Sequence, residues 1–351
     1  MKTLGEIIGH ARALGVLAAS LRSGRVHHAW VFHGPEGVGK RTVAEAFGLA
    51  LLDETTRVEG DAIVSEPASQ TRALADSGVH PDLHVVTKEL ARFSEDASVR
   101  SRKLTSIPKE VLVERVIGPA ARSSQIKSNA QASKVFIVDE AELMNDAGQN
   151  ALLKTLEEPP EGTVLVLVTS SEDRLLATIR SRCQRVAFGP LSEPEMDEWA
   201  RRAGFTNRRA MTLSGGRPGT AEQAEATGLD GWLDRLDPML RDAERGVFSA
   251  ELGGVMKTLI DDWAKAHVET HEGASKDAAN KAGTRKLLEL LSERVRAGMR
   301  ASSSDATANR DALERRAREL ELIGEAEHHV ARNVNLQLAM ENLAAQLCAA
   351  R

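Results

Sequence analysis

The chain has 351 residues, enough for two or three domains, each with its own core. A formal net charge of -5 excludes a global basic field that would draw it to nucleic acid or an anionic membrane, and 3% aromatic residues with no tyrosine argue against a base-stacking surface for single strands. Two cysteines, Cys183 and Cys348, exclude a disulfide framework; with no basic-then-apolar leader and no apolar run near ~18 residues, a cytoplasmic protein without membrane contact is expected.

Through about residue 190, short apolar runs alternate with helical patterns, the signature of βαβ units around a parallel sheet. AWVFH (29–33) comes first, followed by the glycine-rich GPEGVGK and the helical KRTVAEAFGLALL (40–52). Residues 53–79 are polar and read as an irregular surface insertion; LHVV (83–86) is the second strand, and 88–106 a second insertion. VFIVDE (135–140), VLVLVTS (164–170) and RVAF (185–188) complete five expected strands. Between them AGQNALLKTLEE (147–158) is a helix that stops before Pro159-Pro160, because proline cannot continue a helix and pushes the preceding residue toward extended geometry. Its Leu152, Leu153 and Leu156 form an apolar face with Lys154 opposite.

After Phe188 the pattern changes. Ser192 and Glu195 form an S-x-x-E capping box, LSGGRPGTAEQAEA (213–226) marks a break, and from about 232 the chain is helix-forming apart from polar gaps at 270–284 and 300–311. The expected class is therefore α/β plus α, in three domains: 1–188, a small helical 189–231, and an all-helical 232–351.

GPEGVGKRT (34–42) nearly completes a phosphate-binding loop, G-x-x-x-x-G-K-[ST]. Gly34, Gly37 and Gly39 follow a strand and open a helix, so backbone N–H groups and the helix dipole can face phosphate, and Lys40 would reach its outer oxygens. The hydroxyl that should hold Mg²⁺ is replaced by Arg41, which has five donors, no lone pair and a charge that repels a metal. Thr42 does not repair this, because one helical step turns its side chain by about 100°. The partner element is the apolar strand ending in Asp139-Glu140, one carboxylate facing the metal position and the next placed to polarise an attacking water.

HHAWVFHGPEGVGK, HPDLHVV, VFIVDEAELMNDAGQNALLKTLEEPP, TIRSRCQ and the terminal NVNLQLAMENLAAQL together resemble the bacterial DNA polymerase III clamp-loader subunits of the AAA+ class, in the right order and over nearly the whole chain. The resemblance implies a P-loop domain, a helical lid and a helical collar in a ring of sibling subunits, tau/gamma and delta, that loads a sliding clamp on primer-template DNA. Within that family the chain is similar to the delta-prime branch, whose own nucleotide site is often defunct, rather than to the longer ATP-hydrolysing tau/gamma branch. The family's four zinc cysteines are absent from 53–79, so no zinc is expected, and His80 and His84 read as structural. The family's lid arginine falls on Gly219, with Arg217 nearby.

The resemblance also implies that Arg182, in Ser181-Arg182-Cys183, reaches across a subunit interface to the γ-phosphate of ATP held next door. A preorganised guanidinium there stabilises charge on the transferring phosphoryl by about 10³–10⁵ in rate. Arg180 and Arg185 could support it or contact DNA phosphate, Thr169 and Ser170 fall where the family's first sensor reads phosphate, and Lys154 is a candidate for a DNA phosphate contact or a solvated lysine. Read from the residues alone, Arg182 could instead pair with a surface carboxylate, Thr169 could satisfy strand-end backbone groups, and Cys183 is a small buried residue. The expectation is a clamp-loader scaffold in which Glu140 is vestigial or weak, ATP binding is open, and efficient Mg·ATP hydrolysis is absent. The alternatives are a tau/gamma-type ATPase using Thr42 and a P-loop small-molecule kinase.

Overall fold

Apolar runs with no polar alternation must be buried on both faces, and they form the centre of the sheet. The computed structural model describes residues 1–60, 62–101, 105–127, 129–270, 275–302, 310–332 and 334–349. Five strands, β1 (Ala29–His33), β4 (Leu83–Val86), β5 (Lys134–Val138), β6 (Thr163–Thr169) and β7 (Gln184–Ala187), lie parallel in the order β4-β5-β6-β1-β7. Every residue of β5 and β6 is buried. These are the five expected strands, shifted by at most two residues at their ends.

Alternation along each strand divides the core. Trp30 and Phe32 of β1 and Ile137 of β5 face helix α2 (Lys40–Leu52) through Phe47, together with Leu17 of α1 (Ala11–Ser23). Val31, Phe136 and Leu167 face the other way, onto Leu152 of α4 (Asp146–Glu157). Helix α3 is Gln70–Asp76, α5 is Ala177–Arg180 and α6 is Glu193–Ala203. The capping residue expected at Ser192 is in place, its N–H and hydroxyl each donating to the Glu195 carboxylate at 2.7 Å.

These elements make one compact unit, Met1–Ala203, and the rest, Gly204–Arg351, a second. Within the described residues the second unit is helical: α7 (Arg208–Ser214), α8 (Pro218–Thr227), α9 (Trp232–Glu244), α10 (Leu252–Thr270), α11 (Lys276–Ser302), α12 (Arg310–Ala331) and α13 (Leu336–Ala349). They share one apolar core that includes Leu236, Met256, Ile260, Leu287 and Met340. None of the helices is long and apolar enough to cross a membrane. The polar gap expected at 270–284 is shorter than its composition suggests: α11 is already helical at Lys276, with the Ser275 hydroxyl accepting from Ala278 N at 3.2 Å. Residues 271–274, and 303–309 of the gap at 300–311, lie outside the described residues.

The insertion at 53–79 is not irregular. It holds an antiparallel ribbon, β2 (Arg57–Glu59) with β3 (Ala62–Val64), and helix α3. Its organiser is the buried carboxylate of Asp53, which accepts from Thr55 N at 2.9 Å, Thr55 Oγ1 at 2.7 Å and Ser69 Oγ at 2.5 Å. Those hydroxyls accept in turn, Thr55 Oγ1 from Glu66 N and Ser69 Oγ from Arg72 N, the latter capping α3. The second insertion contains a 3₁₀ segment, Lys88–Phe93, and a helical turn, Ala97–Arg100; Arg102, Lys103 and Leu104 lie outside the described residues. A segment with no sequence prediction, 109–120, runs from α through a π turn at Val113–Ile117 and buries Val111, Leu112 and Val116. A π turn breaks the 3.6-residue period that would have announced it.

Two outcomes follow for stability. Asp53→Ala leaves two hydroxyls without their acceptor and should lower unfolding free energy by about 1–3 kcal/mol in urea denaturation. Burial holds the His80 and His84 imidazoles below their ordinary 6.5, so on acidification the unfolded chain binds protons first and stability falls as pH drops through that value. His84 stacks on Phe136 with ring centres 4.6 Å apart, and His84→Phe should keep the stack and flatten the fall in urea midpoint between pH 7.5 and 5.5.

Candidate functional site

The glycine-rich turn leaves the end of β1 and opens α2. Gly34, Gly37 and Gly39 all have positive φ, 146°, 79° and 98°, a backbone that residues with a side chain rarely adopt. Gly34 has a second constraint, since a Cβ there would lie 2.0 Å from the Phe188 carbonyl oxygen. At Gly39 nothing lies within 4 Å of such an atom, so the cradle is open. Two described non-glycine residues have positive φ, His10 at 56° and Glu140 at 51°, and both border this turn. The His10 ring nitrogen Nε2 is 2.8 Å from the Val38 carbonyl, and Glu140 follows Asp139 at the end of β5.

Lys40 points back into its own loop. Its Nζ, 7% exposed as a residue, donates to the carbonyls of Gly34 and Pro35, each at 2.7 Å. Burial lowers its pKa, against the opposing pull of Glu142, Glu36 and Asp139. Arg41 lies against the acidic strand: Nε donates to Glu45 Oε1 at 2.8 Å and Nη1 to Asp139 Oδ2 at 3.3 Å. Burial raises the Asp139 pKa and Arg41 pulls it back down. Thr42 is exposed on the next helical step. Mg²⁺ requires oxygen donors in near-octahedral array; Arg41 brings N–H groups and positive charge and already pairs with Asp139, so these residues do not fit the ion.

Around this centre Glu140 and Glu142 both have partners, although the Glu142 Oε2 oxygen is buried without one. Glu140 is tied to Lys88 at 2.8 Å and its pKa is raised by burial. Glu142 accepts from the Ser170 N–H at 3.2 Å and from the Ser170 hydroxyl. Thr169 is buried, in register with His33 beside the loop, and its hydroxyl accepts from Ser171 N at 3.0 Å. Lys88, Glu142 and His10 were missed by sequence reasoning; only HPDLHVV and the acidic strand pointed toward two of them, and nothing local marked their pairing.

Arg182 is on a different part of the same unit, in the turn between α5 and β7. Its Nη1 donates to the Thr178 carbonyl at 3.0 Å and its Nη2 lies 2.7 Å from Glu157 Oε1, with the arginine side chain 37% exposed. Arg180 donates to the Glu172 carbonyl at 3.4 Å and Arg185 is 3.7 Å from the Glu172 carboxylate. Cys183 packs against the core, and burial pushes its thiol up to about 12. Lys154 is exposed. In the second unit, Gly219 lies in the first turn of α8, and the buried Arg217 before it pairs with Glu289 and, at 4.0 Å, with Glu293. Among the described residues no group of three or more His, Cys, Asp or Glu side chains is arranged to hold a metal ion.

A family model described as DNA polymerase III, delta subunit, matches residues 9–192. The DNA polymerase III subunit delta' of Pseudomonas aeruginosa (strain PAO1) is 33% identical over 210 residues, 58% of this chain and 57% of the relative. That of Bacillus subtilis (strain 168) is 27% identical over 262 residues, 74% of this chain and 72% of the relative. The DNA polymerase III subunit tau of Escherichia coli (strain K12) is 31% identical over 183 residues, 52% of this chain and 25% of the relative. The chain thus spans a little over half the length of the Pseudomonas relative and a quarter of that of tau. The matched stretch takes in every strand of the five-stranded sheet and more than half of the residues, and the chain belongs to the DNA polymerase III delta-subunit family.

Proposed function

We propose that the chain is a clamp-loader subunit of the DNA polymerase III holoenzyme, of the delta-prime kind. It acts in the cytoplasm as a scaffold in a hetero-oligomeric ring with tau/gamma and delta subunits that places a sliding clamp on primer-template DNA. In this reading 1–188 is the P-loop domain, 189–231 the lid and 232–351 the collar. The observation that carries it is the pair Arg41–Asp139: a guanidinium lies against the carboxylate that a metal would need. Such a subunit can serve hydrolysis elsewhere but not conduct it with Mg²⁺ at its own loop. Arg182, surface-facing and held at two points, supports its assignment as the arginine given to a neighbouring subunit's ATP. Glu140, paired with Lys88, would be vestigial.

The isolated chain should show no steady-state ATPase; turnover abolished by Lys40→Ala would overturn the scaffold reading. Arg41→Thr restores a hydroxyl and releases Asp139, and should make retention of labelled ATP stronger with Mg²⁺ than with EDTA. In the reconstituted complex, Arg182→Ala should leave assembly intact on gel filtration and lower ATPase by about tenfold or more, toward the ~10³ that such an arginine supplies.

A further inference from the structure

Glu157 is the last residue of α4, where the helix dipole presents negative charge and a carboxylate is disfavoured. Glu158 follows and Pro159-Pro160 ends the helix, so two carboxylates stand at the wrong end of a helix that gains nothing from them. Glu157 pairs with Arg182, Nη2 to Oε1 at 2.7 Å.

Everything else around Arg182 is already fixed. Its N–H donates to the Ile179 carbonyl at 3.0 Å, Ser181 Oγ donates to the Thr178 carbonyl at 3.0 Å, and Cys183 on the other side is packed into the core. The backbone is thus held by hydrogen bonds, and near its tip the long side chain has two anchors, the Thr178 carbonyl and the Glu157 carboxylate. Thr178 O takes one of its five N–H donors and Glu157 a second, which leaves three. A guanidinium held before its ligand arrives loses less freedom on binding.

We infer that Glu157 is a positioning residue for Arg182, setting the direction in which the guanidinium is offered to an anionic phosphoryl group on an adjoining subunit. This rests on the reading of Arg182 given above. The pair is half-exposed, so its effect is modest in size, but it falls on geometry in the transition state rather than on ATP affinity in the neighbour.

The test uses the reconstituted clamp-loader complex, with kcat and KM for ATP measured for Glu157→Ala, Glu157→Gln, Arg182→Ala and the double variant Glu157→Ala/Arg182→Ala. Glu157→Ala should lower kcat about two- to fivefold, the range of an exposed ion pair, with KM unchanged. Glu157→Gln keeps an acceptor oxygen and should recover most of the rate, and it serves as the comparison should Glu157→Ala fail to assemble. The double variant should be no slower than Arg182→Ala alone. If Arg182→Ala slows the complex but neither Glu157 variant does, or if Glu157→Ala slows it by the same factor with and without Arg182→Ala, or raises kcat, the positioning role is overturned and the arginine's role stands. If Arg182→Ala itself changes nothing, the donated-arginine reading fails and the positioning role fails with it.

Discussion

A mostly buried carboxylate at the end of a sheet strand needs positive charge beside it, and in this chain Asp139 finds it in a side chain. Desolvation works against the ionised form, and Arg41 from the first turn of α2 works for it. The site's other cations are committed as well: Lys40 rests on the loop carbonyls and Lys88 reaches over to Glu140. The loop, the acidic strand and the neighbouring strand end at Ser170 are joined by internal contacts, with the Glu142 Oε2 oxygen left buried and without a hydrogen-bond partner.

The two arginines that define the reading have opposite fates. Arg41 is turned inward, to Asp139 and Glu45. Arg182 is turned to the surface, with its anchor points at the C-terminal end of α4 and within the turn α5. One guanidinium is thereby committed beside the loop and the other stands at the surface away from it.

Much of this was legible in the residues. Unbroken apolar runs gave β5 and β6 because burial on both faces leaves no room for alternation, and the spacing of Gly34, Gly39 and Lys40 after AWVFH placed the loop. The exchange of hydroxyl for guanidinium at 41 could be read directly, yet its pairing with Asp139 could not, because 98 positions separate them. The same limit hid the ordered insertion, which depends on Asp53 reaching Ser69 sixteen residues on. Nothing in the LEEPP segment marks Glu157, because its partner lies 25 positions later, across a strand and a helical turn.

Gly34 shows what a motif can and cannot testify to. Its left-handed φ serves the turn, but the carbonyl of Phe188, whose own N–H donates to His33 O at 2.8 Å, closes on the spot where any side chain would begin. The first glycine of the phosphate loop is thus also the seam along which β1 and the chain leaving β7 are joined. A lineage that gave up nucleotide chemistry altogether would still be obliged to keep it, so its persistence in a sequence records the architecture of the sheet and is silent about the ligand.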